Sequence, residues 1–195
     1  MPLVLTGNSS TLTVDSTNGI GLGAGSITFP NSSTQASAGS VLQVVQASYT
    51  AQWSGTPGAQ SSGNPNANLL TTGFTISITP KFATSKIALM GQVWASVQAG
   101  TSTSDFLFKR GSTIISIGAS GLNDNMTMGY FLNSGAGDRP WVSLPFFIYD
   151  TPATTNATTY TLFALGGNGT TFYLNVRSDS WSAGITNFIA MEIAA

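Results

Sequence analysis

The sequence predicts an all-β protein: a jelly-roll-like β-sandwich head preceded by an extended N-terminal arm or stem of short strands. Three observations predict it. Apolar residues alternate with period two in segment after segment, and no stretch sustains a helical period. Gly, Pro and Asn turn signals separate these segments at the density of a two-sheet sandwich, and eight or so such strands suggest a jelly roll. The longest alternating stretch, PWVSLPFFIYDTPATTNATTYTLFAL over residues 140 to 165, reads as two strands about a turn at Tyr149-Asp150-Thr151-Pro152.

In that stretch Val142, Leu144, Phe146 and Ile148 alternate with Trp141, Ser143, Pro145, Phe147 and Tyr149. Tyr160, Leu162 and Ala164 then alternate with Thr161, Phe163 and Leu165. The second face reads as apolar in both strands, so one face should fill the core and the other should meet a second sheet or another copy of the chain.

Residues 1 to 40 form a separate region, with residues 41 to 195 as the head. The first region holds apolar pairs two apart, Leu3 and Leu5, Leu12 and Val14, Ile20 and Leu22, Ile27 and Phe29, with Gly, Asn and Ser between them. Alone, such pairs bury too little to offset their ordering entropy, which leaves a disordered leader or a stem that winds with other chains. The regular spacing favours the stem. In the head, residues 41 to 53 read as the first long strand, and residues 56 to 69 as a loop with Pro57-Gly58 and Asn64-Pro65 turns.

Phe74, Ile76 and Ile78 alternate with Thr75, Ser77 and Thr79 up to Pro80. Over residues 86 to 98, Ile87, Leu89, Val93, Ala95 and Val97 share a face opposite Met90, Gln92, Trp94 and Ser96, which favours strand over the helix that Ala, Leu, Met and Gln would allow. A hairpin is expected over residues 105 to 118, with Phe106, Leu107 and Phe108 facing Ile114, Ile115 and Ile117 across Arg110-Gly111-Ser112. Strands follow over residues 126 to 132, 171 to 176 and 185 to 193, the last with Ile189, Met191 and Ile193 inward.

Two sets of residues resemble a known family. Residues 26 to 38, SITFPNSSTQASA, resemble the I-T-F-x-(D/N)-(G/S)-(S/T)-x-Q-(T/S)-x-A segment of tail-fibre and related virion proteins of tailed bacteriophages, where it ends a slender shaft before a globular head. The head resembles the trimeric jelly-roll heads of phage fibres and decoration proteins, and more distantly the tumour-necrosis-factor and complement-head trimers. That likeness is carried by Val-Leu-Gln-Val-Val-Gln at Val41, Thr84-Ser85-Lys86-Ile87, F-x-F-K-R-G-S at Phe106, Y-D-T-P at Tyr149 with T-T-Y-T-L at Thr158, and I-A-M-E-I at Ile189.

The resemblance implies a homotrimeric virion component assembled in a bacterial cytoplasm. It is expected to be a tail fibre or fibre subunit that docks to another phage structural protein through residues 1 to 40 and meets host surface polysaccharide with its head. The alternative is a capsid decoration or cement protein, and a minor one is a tail enzyme that degrades envelope polysaccharide.

Composition narrows the chemistry. Only 7% of the 195 residues are charged, against about 25% in an ordinary domain. Six basic residues and a net charge of -1 cannot build a phosphate-neutralising stripe, so no nucleic acid partner is expected. Lys109-Arg110, the one basic pair, reads as a solvated hairpin tip. No apolar run reaches the roughly 18 residues of a membrane span, so no membrane insertion is expected.

No basic residue precedes Lys81 and the N-terminus lacks an apolar run, so neither signal nor transit peptide fits. Without cysteine or histidine, thiol chemistry, a Ser-His-Asp triad and His-liganded metal sites are excluded, and no cofactor is expected. The seven acidic residues are isolated, so no carboxylate pair announces glycoside hydrolysis.

Gly19 to Gly25, GIGLGAG, lacks the flanking strand and helix of a dinucleotide loop. Asn123-Asp124-Asn125 offers one carboxylate, too few for calcium, and reads as a turn. The Asn-x-Ser/Thr triplets at Asn8, Asn31, Asn125, Asn156 and Asn168 are expected by chance in so Ser- and Thr-rich a chain. Asp150 reads as the residue that fixes the turn at Pro152.

The aromatic residues are the remaining candidates. Trp53, Trp94, Trp141, Trp181 and Tyr130 could each stack on a sugar ring, and Trp181, in a polar loop, is the candidate receptor contact. Trp94, Phe147, Tyr149, Phe163 and Tyr173 are the candidate oligomer-interface residues.

Overall fold

The strands in chain order are β1 (Ile27–Thr28), β2 (Thr34–Gln35), β3 (Val41–Tyr49), β4 (Trp53–Gly55), β5 (Leu70–Ile78), β6 (Lys86–Val97), β7 (Thr101–Arg110), β8 (Thr113–Ile115), β9 (Met128–Asn133), β10 (Trp141–Asp150), β11 (Thr158–Leu165), β12 (Phe172–Leu174) and β13 (Thr186–Ile193). The structure is a computed structural model that describes residues 27 to 28, 34 to 35, 41 to 58, 68 to 98, 101 to 115, 127 to 133, 140 to 166 and 170 to 194. The chain divides into two units, Met1–Ala38 and Gly39–Ala195.

In the first unit β1 and β2 pair antiparallel, Ile27 opposite Gln35. The remaining apolar pairs of residues 1 to 40, the GIGLGAG stretch, the Asn64-Pro65 turn, Ile117 and Asn123-Asp124-Asn125 lie outside the described residues.

The second unit is built by nested pairing. β3 pairs β13, β4 pairs β12, β5 pairs β11, β6 pairs β10 and β7 pairs β9, all antiparallel. Such nesting results when one long antiparallel ribbon is wound upon itself, which is the jelly roll. The winding yields two described sheets, one of six strands and one of five. In the six-stranded sheet β6 pairs β10 along one edge, and its other edge is shared by β13 over residues 86 to 92 and β12 over residues 95 to 97. The five-stranded sheet runs β5-β11-β7, and β9 and β8 share the far edge of β7.

Period two then sends alternate side chains between the sheets. Phe106, Phe108, Tyr160 and Leu162 of the five-stranded sheet and Ile87, Leu89, Phe172 and Phe188 of the six-stranded sheet are almost wholly buried. Phe108 crosses the gap to Phe146 and Phe188 at 4.8 and 5.3 Å, and Phe74 stacks on Tyr49 at 4.5 Å. Each fully buried Phe contributes roughly 1.5 to 3 kcal/mol, so this aromatic cluster supplies a substantial share of the cohesion of the head. Gly91 makes room for it, since a Cβ there would sit 2.0 Å from the Asn187 carbonyl oxygen and 3.1 Å from the Phe146 ring.

Polar side chains pin the edges. At one edge the Thr75 N–H donates to Tyr49 Oη at 2.7 Å, and that hydroxyl donates to the Thr75 carbonyl. At another, Asp150 of β10 accepts Arg110 Nε at 2.7 Å and Tyr160 Oη at 2.8 Å, which joins the two sheets through one carboxylate. Burial, reinforced by the Asp150 carboxylate, pushes the Tyr160 phenol far above its ordinary range. At the end of β13, Glu192 accepts Gln43 Nε2 at 2.6 Å and the Lys81 and Phe82 N–H groups at 2.7 and 3.3 Å, holding the segment between β5 and β6.

Several sequence expectations change here. The inward face of β13 is Thr186, Phe188, Ala190 and Glu192, not Ile189, Met191 and Ile193, because hydrogen bonds let the carboxylate of Glu192 lie inside and Phe188 completes the aromatic cluster. The outer side of β11 is not apolar throughout. Thr159 and Thr161 lie opposite Ser77 and Thr75, with a Ser77–Thr159 hydroxyl contact of 2.7 Å, so that end of the strand carries a Ser/Thr ladder, while Phe163 and Leu165 keep the expected apolar side farther along.

Asp150 does not fix the turn at Pro152, because its carboxylate is taken by Arg110 and Tyr160. Arg110 is accordingly no solvated tip. The hairpin pairs Phe108 with Ile115, Lys109 with Ile114 and Arg110 with Thr113, and Gly111 supplies the positive φ of 58° at its turn. The strand expected over residues 41 to 53 is broken into β3 and β4.

Glu192 gives a pH dependence. Burial raises its pKa, but hydrogen bonds from Gln43 and the Lys81 and Phe82 backbone help outweigh this and hold it below the ordinary 4.5. Its contribution to stability is therefore complete above 4.5 and is lost as pH falls through the lower folded-state value. Urea midpoints measured from pH 6 down to pH 3 should fall less steeply for Glu192→Gln than for the parent chain, and parallel curves would assign the acid sensitivity to other carboxylates.

Candidate functional site: the outer face of the six-stranded sheet

Register determines what the outside of the six-stranded sheet presents. Phe147, Met90, Ile189 and Gln46 form one cross-strand row, and Tyr149, Ala88, Met191 and Val44 the next. Ile193 extends the apolar surface between Lys86 and Val41. Phe147, Tyr149, Val44 and Val41 are 55, 56, 58 and 53% exposed. Phe147 and Tyr149 meet edge to face at 4.9 Å, so each holds the other upright. Lys86 is the one charged residue in these rows among the described residues. These apolar rows span four strands, β10, β6, β13 and β3.

Toward the other end of the sheet the same face carries a loop. The chain leaves β12 at Asn175 and re-enters at β13, and the excursion is braced at every step. Asn175, wholly buried with φ of 59°, donates through Nδ2 to the Tyr49 and Ala51 carbonyls at 2.8 and 3.0 Å. Its Oδ1 accepts Thr186 Oγ1 at 2.7 Å. One amide thus closes the break between β3 and β4 and the break between β12 and β13.

Farther out, Val176 bridges Ala183, and Arg177 N–H donates to the Ser182 carbonyl at 2.9 Å. Arg177 also grips Asp179 through two nitrogens at 2.6 and 2.7 Å, and this hydrogen-bonded pair holds the Asp179 carboxyl below its ordinary range. Trp181 stands at the tip, 84% exposed.

The candidates from the sequence fall into three places. Phe147 and Tyr149 lie in the apolar rows. Trp94, on the same outer face, stacks on Trp141 at 5.1 Å and is packed by Gly184, where a Cβ would come within 2.6 Å of the indole; Tyr173 is half-buried on this side, opposite Ser96. Phe163 lies on the outside of the other sheet, with Lys109 Nζ 5.3 Å from its ring centre. Trp53 packs against the core, and the side chain of Tyr130 lies outside the described residues.

Among the described residues no group of three or more acidic residues could hold a metal, and no helix is long and apolar enough to cross a membrane.

No family model and no curated protein matches the chain. Among solved structures, one of infectious bursal disease virus Gt strain aligns over 94% of this chain and 47% of its own, at 15% identity and a TM-score of 0.37. The VP2 subviral particle of that virus aligns over 83% and 39%, at 15% identity and 0.36. Its T13 viral particle aligns over 77% and 36%, at 13% identity and 0.30. The chain thus spans less than half of the length of these structures, and similarity at this level carries no functional information.

The residue that sequence reasoning missed is Asn175. Its neighbours, Leu174 and Val176, were the only signal, since an Asn inside an apolar strand must either break the strand or bond within it. Asn175→Ala would leave two buried carbonyls and a hydroxyl without their partner, a cost of about 3 kcal/mol. Urea unfolding should show that loss; a change near zero would mean that water replaces the amide.

Proposed function

We propose that the chain is a structural protein of a tailed bacteriophage particle, a trimeric tail fibre or fibre subunit. Residues 1 to 40 attach it to another phage structural protein, and its jelly-roll head faces the host surface. The observation that carries this reading is the set of apolar rows on the outer face of the six-stranded sheet, in which Lys86 is the one charge among the described residues, on a chain in which 7% of residues are charged. A neutral apolar face meets an identical face without desolvating ions, so a second copy of this chain is the natural occupant.

The likeness of residues 26 to 38 and of the head to phage fibre proteins supports three copies and a position on the particle. Trp181 supports recognition, since a rigid aromatic presented on a braced loop binds at little entropic cost.

Two experiments test the reading. Sedimentation of the purified chain should give three times the chain mass, and Phe147→Asp should reduce it to a single chain. Phe163→Asp, on the other sheet, should leave the mass unchanged. If Phe147→Asp sediments as the parent does, copies do not meet through this face. On the particle, a gel should show a few copies per virion, and gold-labelled antibody should mark the tail. Hundreds of copies on the head would instead assign a capsid cement protein, and release of reducing sugar from envelope material would assign an enzyme.

A further inference from the structure

The Arg110–Asp150 pair does more than join the sheets, because it also forms one wall of a cavity of about 650 Å3 at the margin of the apolar face. Lys86, Thr113, Tyr149 and Thr151 share the lining. The volume falls within the range of small-molecule sites. Two of the six basic residues of the chain are gathered here against one carboxylate, so the cavity carries a net positive charge in a protein whose net charge is -1.

Asp150, 8% exposed, takes Arg110 Nε and Nη2 at 2.7 and 3.4 Å and the Tyr160 hydroxyl at 2.8 Å. The guanidinium is therefore fixed in place, and its five N–H donors exceed what this one carboxylate engages. Tyr149 stands on β10, the edge strand at the margin of the apolar face, where its ring, steadied by Phe147, turns toward the cavity beside the hydroxyls of Thr113 and Thr151.

We infer that this cavity binds an anionic sugar residue such as a hexuronate. The ring of Tyr149 would take the apolar face of the pyranose, the two threonines its hydroxyls, and Lys86 with Arg110 its carboxylate. A neutral sugar would leave Lys86 and the remaining Arg110 N–H donors without an anionic acceptor from the ligand, and a bare anion would leave the aromatic wall unused. The inference deepens the host-recognition part of the proposed function and names its ligand class.

The full-length protein, labelled at isoleucine δ-methyls, is titrated by NMR with glucuronic acid, glucose and inorganic phosphate. Glucuronic acid should shift the Ile114 and Ile193 signals saturably, while glucose and phosphate bind at least about tenfold more weakly, as expected when one charge-assisted contact set is missing. Lys86→Gln, an exposed substitution, should weaken glucuronic acid about tenfold with the thermal midpoint unchanged.

Absence of a saturable shift, equal binding of phosphate, or undiminished binding by Lys86→Gln would each overturn the inference. The two readings fail separately. A chain found on the phage tail that ignores glucuronic acid loses only the site, whereas a glucuronate-binding chain absent from any particle loses only the virion role.

Discussion

A β-strand can send only every second side chain into a core, and β10 places apolar residues on both sides. Leu144, Phe146 and Ile148 close the core, and Phe147 and Tyr149 of the same strand stand more than half exposed. The cross-strand partners extend this condition rather than relieve it, because Met90, Ile189, Met191 and Val44 stand in register beside them. The five-stranded sheet differs. Its outer side is Ser and Thr where β5 meets the start of β11, and Phe163, Leu165 and Leu107 farther along, the two leucines wholly buried. The half-exposed apolar side chains that stand in register on the six-stranded sheet are the physical basis of the assembly reading.

A chain with so few charges uses them internally. Asp150 and Arg110 tie sheet to sheet, and Glu192 secures the segment before β6. Arg177 and Asp179 stiffen the loop that carries Trp181. Neutral amides and hydroxyls do the rest, with Asn175 spanning two breaks in the strands and Tyr49 reaching across to β5. The bonds from Asn175 Nδ2 to the Tyr49 and Ala51 carbonyls, from the Thr75 N–H to Tyr49 and from the Lys81 N–H to Glu192 satisfy backbone groups that would otherwise be stranded where the ribbon bends. The jelly roll thus keeps its corners closed without disulfides, in keeping with a chain that has no cysteine.

What was legible in the sequence is what alternation encodes. The all-β class, the faces of β6 and β10 and the hairpin around Gly111 follow from period two and turn chemistry. Alternation alone does not fix which parity faces inward when both are apolar. In β13 the choice was settled by Glu192, whose burial depends on Gln43 and on backbone groups far away in sequence. The outer side of β11 departs from the expectation only toward its start, where Thr159 and Thr161 face Ser77 and Thr75 across the sheet; Phe163 and Leu165 keep the other end apolar. Asn175 and the Asp150 cluster were hidden because a single polar residue does not reveal its partners until the ribbon is wound.

Whether the outer face of the six-stranded sheet is covered or wet can be measured directly. Hydroxyl-radical footprinting of the intact protein, read by mass spectrometry at Phe147, Met191 and Val44, has an internal standard in the exposed Trp181. Modification of the three should lag well behind that of Trp181 at high protein concentration and rise on dilution as copies separate. Rates at Phe147 and Met191 that already match those of freely wetted side chains, and do not depend on concentration, would contradict the account.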